Sequence, residues 1–279
     1  MSSTPDPLAP LGTLPGVQDA VESVRKAVDR IYGHRVMRRR SSEVSAEAVL
    51  RGARASAALE GADWALEELR RRTDFGAEGE PRTVGAALRT TAEAGQLLDV
   101  WPQSPLRVLA RLHLVAAGGA APDETVGRPR LAGEPVTGPG PSSTTGGESA
   151  LPDADEVAAR LDALARIVAD GTEAPALVLA AVVHGELATL RPFVSANGLV
   201  ARAAERVVLV GSGLDPKSVC PAEVGQAEQG REAYEQALEG YASGTPEGVA
   251  AWIAHCGKAL ELGARETTAV CEALQRGAA

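Results

Sequence analysis

At 279 residues the chain can hold one large domain or two small ones, and it can bury a substantial core. Aromatic residues make up only 3%, so that core is built mostly from Ala, Val and Leu. With 28 Lys+Arg against 37 Asp+Glu the net charge is -9, which disfavours nonspecific binding to nucleic acid or to an anionic membrane surface.

Residues 1–16 are rich in Pro and Gly without an apolar period and are expected to be disordered. The polar start S-S-T-P-D-P is not a signal peptide. Val17, Val21, Val24, Val28 and Ile31 recur at helical spacing and predict a helix that stops near Gly33. Arg35, Arg38, Arg39 and Arg40 follow and read as a solvated turn. Ser45 has the character of an N-cap for a helix reaching Gly61. Further helices are expected over 64–72, 84–100 and from Pro105 through His113.

Residues 117–152 are dominated by Gly, Pro, Ser and Thr, most densely at 138–147, and read as a long flexible loop or flap. A helix over Val157–Val168 restores order. Pro175 then opens an almost wholly apolar helix carrying His184, whose all-round hydrophobicity places it in the middle of a bundle. Helices over 200–211, 227–241 and from Pro246 to about Arg276 complete the chain, the last as one or two pieces. Strand signals are nearly absent, so the fold class is all-α. The longest apolar run, 174–183, is too short to span a bilayer. Cys220, Cys256 and Cys271 follow no metal spacing and suit a reducing compartment, so the expected location is cytoplasmic.

The stretch Arg191-Pro-Phe-Val-Ser-Ala-Asn-Gly-Leu-Val-Ala-Arg202 joins the apolar helix to the next one. It resembles the loop of the Fic/Doc (Fido) family, H-P-F-x-D/E-G-N-G-R/K-x-x-R, matching at Pro192, Phe193, Asn197, Gly198 and Arg202. His184 lies seven residues ahead of the loop, as the family often has it. V-G-R-P-R at 126–130 resembles the G-x-x-R stretch before the family's flap. Y-E-Q-A-L at 234–238 and W-I-A-H-C at 252–256 resemble its C-terminal helices. S-A-A-L-E-G, with Ser56, Glu60 and Gly61, fits the family's inhibitory S/T-x-x-x-E-G/N motif.

The resemblance implies a Fic-like helical bundle with an N-terminal helical arm at 17–103, a Fido-like domain at 104–265 and a C-terminal helix end at 266–279. It implies AMP transfer from ATP to a protein hydroxyl. A His acts as base, an Asp/Glu holds Mg²⁺, glycines and two arginines cradle the nucleotide, and an inhibitory Glu pairs with the second Arg. Four of those positions differ here. Arg191 replaces the base, and a guanidinium has no lone pair and keeps its proton. Ser195 replaces the Mg²⁺ carboxylate, and a neutral hydroxyl is a poor anchor for a hard dication. Ala196 replaces a Gly, and Leu199 removes a positive charge.

Ordinary adenylylation is therefore not expected. Arg191, Ser195, Asn197, Gly198 and Arg202 remain candidates for nucleotide or anion binding, with no metal ligand and no confident catalytic residue. Asn197 and Gly198 either shape an anion site or simply make the turn. Glu60 and Arg202 either form a regulatory lock or a structural ion pair. His184, His113 and His255 read as packing residues, and Glu186, near the loop in sequence, is only a minor candidate for a substitute base or metal ligand. One alternative is an active transferase of a phosphate-containing group, with ATP and Mg²⁺ as cofactors and a protein target. Another is a non-enzymatic helical module that self-associates.

Overall fold

The structure, a computed structural model, describes residues 5–139 and 151–277. The described residues are helical, with no strand. In chain order the helices are α1 (Val17–Tyr32), α2 (Met37–Leu59), α3 (Leu66–Arg71), α4 (Gly79–Ala94), α5 (Pro105–Ala117), α6 (Ala154–Asp170), α7 (Ala176–Leu190), α8 (Asn197–Gly211), α9 (Ala222–Gln229), α10 (Arg231–Ala242) and α11 (Pro246–Arg276). Of the 138–147 segment expected as a flexible loop or flap, residues 140–147 lie outside the described residues.

The core gathers around α7 and α8. Both are buried on nearly every face: α7 because Ala, Val and Leu leave almost no polar stripe to turn to water, and α8 because its buried Arg202, Glu205 and Arg206 are paired within the protein. α11 runs alongside, burying Trp252, Ile253, Cys256 and Leu260. α1 packs on α11 through Val17, Val24, Val28 and Ile31, four of the periodic residues. α2 packs on α4 and α9, so the N-terminal arm is built into the core and delivers its C-terminal end, Glu60, to the start of α8. Asp153 caps α6 by accepting from the Glu156 N–H at 2.8 Å, and Thr245 caps α11 by accepting from Gly248 at 3.1 Å.

Several expectations are corrected. Residues 9–13 form a 3-10 turn with Leu8 and Gly12 buried; the Asp6 carboxylate holds it down by accepting from Thr172 Oγ1 at 2.7 Å and from the Glu173 N–H at 2.8 Å. Arg38, Arg39 and Arg40 open α2, whose helix is kinked at Arg40 (φ −125°), and only Arg35 lies in the turn before it. Arg40 is anchored on Glu43 and on the Leu274 carbonyl. Ser45 is therefore interior to α2 and donates to the Lys217 carbonyl at 2.8 Å, 172 residues away. The helix expected at 84–100 begins at 79 and ends at 94. The one expected at 227–241 is broken at Gly230 (φ 91°). The last segment, expected as one or two helices, is one: α11 runs unbroken from Pro246 to Arg276.

Candidate functional site

The loop between α7 and α8 is built on unusual backbone. α7 ends at Arg191 in the left-handed region (φ 45°, ψ 63°), where helices ordinarily place Gly. Ala196 is also left-handed (φ 56°, ψ 20°) and precedes α8. Between them Phe193 is driven into the core and stacks on His113, ring centroids 4.1 Å apart and planes 15° apart. Asn197 holds the turn from both sides. Its Oδ1 accepts from the Phe193 N–H at 2.9 Å, and its Nδ2 donates to the Phe193 carbonyl at 2.8 Å. Its side chain is committed to the turn, and its contribution to an anion site is the shape of that turn.

α8 starts at Asn197, so its first N–H groups open toward the pocket, as at an anion-binding helix N-terminus. Glu60 occupies this place. Its Oε1 accepts from Arg202 Nη2 at 2.7 Å. A Cβ at Gly198 would collide with the same oxygen, so Gly is what allows the carboxylate to sit on the helix start. Arg202 is 3% exposed, and it also donates from Nε to Ser56 Oγ at 2.8 Å and from Nη2 to the Ser56 carbonyl at 3.1 Å. Burial, the largest single influence, would lower its pKa; the charge and hydrogen bond of Glu60, with smaller contributions from Tyr234 and Glu223, together outweigh it, and the net direction is upward. Arg231 clamps the end of α2 by donating to the Leu59 carbonyl. Gly61 follows at φ 97° and ends the helix. Thus Ser56, Glu60 and Gly61 all serve one contact with Arg202.

Arg191 is half-buried, and its guanidinium turns to backbone. Nη2 donates to the carbonyls of Gly138 at 2.8 Å and Thr137 at 3.2 Å. Its Nε is buried and has no acceptor among the described residues. Burial lowers its pKa, nearby Arg130 adds to that, and Glu60 opposes it. Arg130 itself donates from Nε to the Arg191 carbonyl at 3.0 Å and from Nη2 to the Pro152 carbonyl. Segment 130–138 runs beside the loop: the Arg130 N–H donates to the Pro192 carbonyl and the Thr137 N–H to the Val194 carbonyl, each at 2.8 Å. The cavity lined by Glu60, Pro139, Gly198, Arg202, Tyr234 and Glu235 retains about 30 Å³. That is roughly one water's share of liquid volume, against the ~300–1,000 Å³ of ordinary ligand pockets.

The sequence candidates thus separate into two groups. Glu60, Ser56, Gly198 and Arg202 converge, and Arg191 reaches the flap stub beside them. Glu186 does not join: Arg160 grips its carboxylate bidentately at 2.8–3.0 Å and the Tyr241 hydroxyl donates to it at 3.0 Å. His184 is 0% exposed and fully engaged, Nδ1 with Glu205 at 2.8 Å and Nε2 with the Tyr234 hydroxyl at 2.7 Å. Sequence reading missed Thr137 and Gly138 as partners of Arg191, and Tyr234 as a wall of the pocket. Only the Y-E-Q-A-L resemblance pointed at Tyr234.

The Fic/DOC family model matches residues 108–209, the span holding α5, the flap, α7, the loop and α8. Over that span the chain is similar to the Fic/DOC family. No curated protein matches the sequence. Solved structures share the fold. A Fic family protein from Desulfovibrio desulfuricans G20 is 20% identical with a TM-score of 0.71, over 92% of this chain and 75% of that one. Fic-1 from C. elegans is 17% identical with a TM-score of 0.61, over 92% and 73%. A Fic domain-containing signalling protein from Bacteroides thetaiotaomicron VPI-5482 is 13% identical with a TM-score of 0.62, over 91% and 98%.

The Mg²⁺ that the family uses does not fit the residues present. Ser195 offers a neutral hydroxyl where a carboxylate would stand. Of the carboxylates lining the pocket, Glu60 is held by Arg202, and Glu235 lies 4.0 Å from Arg231. The cluster of His184, Glu205 and Cys256 is a group of metal-type side chains, but it sits in the closed core behind Tyr234 with both His184 nitrogens bonded. No helix among the described residues is long and apolar enough to cross a membrane.

Proposed function

We propose that this Fic-type protein lacks ordinary AMP transfer and keeps an anion pocket that Glu60 holds shut. The observation that carries this reading is the state of Arg191. It stands at the base position, cannot accept a proton, and turns its Nη2 to the carbonyls of Thr137 and Gly138. The pocket's other parts argue for retained binding: a helix N-terminus, a Gly at the point of closest approach, and Arg202 facing a carboxylate in the place of a phosphate. Glu60 acts as an internal anion, and a nucleotide or a protein partner that draws α2 away would open the site. The three free cysteines, all buried, fit a cytoplasmic protein.

The test is incubation with labelled ATP and a cytosolic extract, for the wild type and for Glu60→Ala. We expect no label on the protein itself or on any target from either. Steady transfer by Glu60→Ala that disappears in Glu60→Ala/Arg202→Ala would overturn the silent reading and favour a transferase with non-standard residues. Nucleotide binding by calorimetry should be absent or weak in the wild type and measurable in Glu60→Ala.

A further inference from the structure

We infer that the pocket takes its ligand as a metal-free polyphosphate anion, with Arg191 supplying positive charge in place of a divalent cation. This rests on reading Glu60 as a stand-in for that anion. The first support is the donor set. Ser195 stands at the metal position, Glu60 is committed to Arg202, and the other carboxylate lining the pocket, Glu235, lies 4.0 Å from Arg231; a dication brought in with a phosphate would meet more guanidinium than carboxylate there.

The second support is how the arginines are held. Arg191 and Arg130 are both fastened by neutral backbone carbonyls and not by carboxylates. The carboxylates that act on them, Glu60 on Arg191 and Asp153 on Arg130, do so through space and without a hydrogen bond to either guanidinium. Arg191 also retains a buried Nε–H with no acceptor among the described residues, a donor that a phosphate oxygen would satisfy. With Glu60 in place, one carboxylate faces Arg202 and Arg191. When Glu60 leaves, Arg202, Arg231 and the α8 N-terminus line the seat, and Arg191 lies beside it on the Gly138 carbonyl. That arrangement suits a small anion of more than one negative charge, such as pyrophosphate or the polyphosphate end of a nucleotide. Bound Mg²⁺ lowers the charge of such an anion and brings no ligand the pocket can use.

The test uses the full chain carrying Glu60→Ala, with inorganic pyrophosphate and ATP as probes, titrated by calorimetry in EDTA and in excess Mg²⁺. The same titrations on Glu60→Gln, which keeps the side-chain volume, guard against misfolding of the Ala variant. We expect binding in EDTA that weakens by about tenfold or more with Mg²⁺, and a loss of about tenfold or more in EDTA when Arg191→Ala is added, with the thermal melt in place. Binding that requires Mg²⁺, or binding indifferent to Arg191→Ala, overturns this inference and leaves the pocket reading standing. Binding of neither probe in either buffer by a folded variant overturns both.

Discussion

Glu60 and Arg202 are 142 residues apart in sequence and 2.7 Å apart in space. The pair is nearly dry, at 10% and 3% side-chain exposure. Its two ends are not equivalent. Arg202 keeps two bonds to Ser56 if Glu60 is lost, whereas removing Arg202 strands Glu60 and frees Ser56 together. Arg202→Ala should therefore destabilise by about 3–5 kcal/mol, the usual cost of breaking a buried pair from one side. Glu60→Ala should cost clearly less. Glu60→Gln/Arg202→Met should recover part of the loss. Chemical denaturation of wild type and the three variants makes the comparison; equal losses in the two single variants would contradict the asymmetry.

Ala196 sits at φ 56°, where a Cβ is crowded by its own carbonyl. That conformation costs about 1–2 kcal/mol for a non-Gly residue, while Gly adds about 0.4–1 kcal/mol of unfolded-chain entropy. Ala196→Gly should then be neutral to stabilising, by up to about 1 kcal/mol. A thermal melt that falls by several degrees would show that the Ala196 methyl contributes packing that the strain estimate omits.

How much of this was legible follows from the range of each interaction. The faces of α1 and α6 were readable because one apolar stripe decides them locally. Ser45 misled, since Ser-Ala-Glu-Ala has a cap's composition, yet upstream residues were already helical and its partner is the Lys217 carbonyl. The fate of Arg191 was not readable at all. A fork that suits an anion is instead taken by two carbonyls 53 and 54 residues away, and no local signal reports which backbone lies opposite. The Glu60–Arg202 contact was reached only through resemblance; composition and periodicity carry no trace of it.

α9 and α11 approach so closely that a Cβ at Gly225 would drive into the backbone of Ala259, carbonyl and Cα alike. A side-chain tip could swing aside; a helix backbone cannot. Gly225→Ala should cost about 3 kcal/mol or more and lower the yield of folded protein. Gly211→Ala makes the matched control, because nothing lies within 4 Å of the added methyl. Circular dichroism melts of the two should separate widely. Similar melts would mean that α9 can move away from α11 at little cost.

Burial pushes two histidines down, His113 and His255, each to about 4. Their folded pKa lies below the ordinary value near 6.5, so the unfolded chain takes up protons first as the pH falls. The stability held by the neutral rings is complete above about pH 7 and declines as pH drops from about 6.5 toward 4. For fully buried His113 a shift of this size corresponds to roughly 3 kcal/mol at the acid end. The window from pH 7 to pH 5 lies above most carboxylate titrations and isolates this contribution. Urea denaturation across it should show stability falling with pH in the wild type, and a flatter profile in His113→Gln/His255→Gln. A wild-type profile that stays level between pH 7 and pH 5 would mean that the Phe193 stack over His113 admits a charged ring.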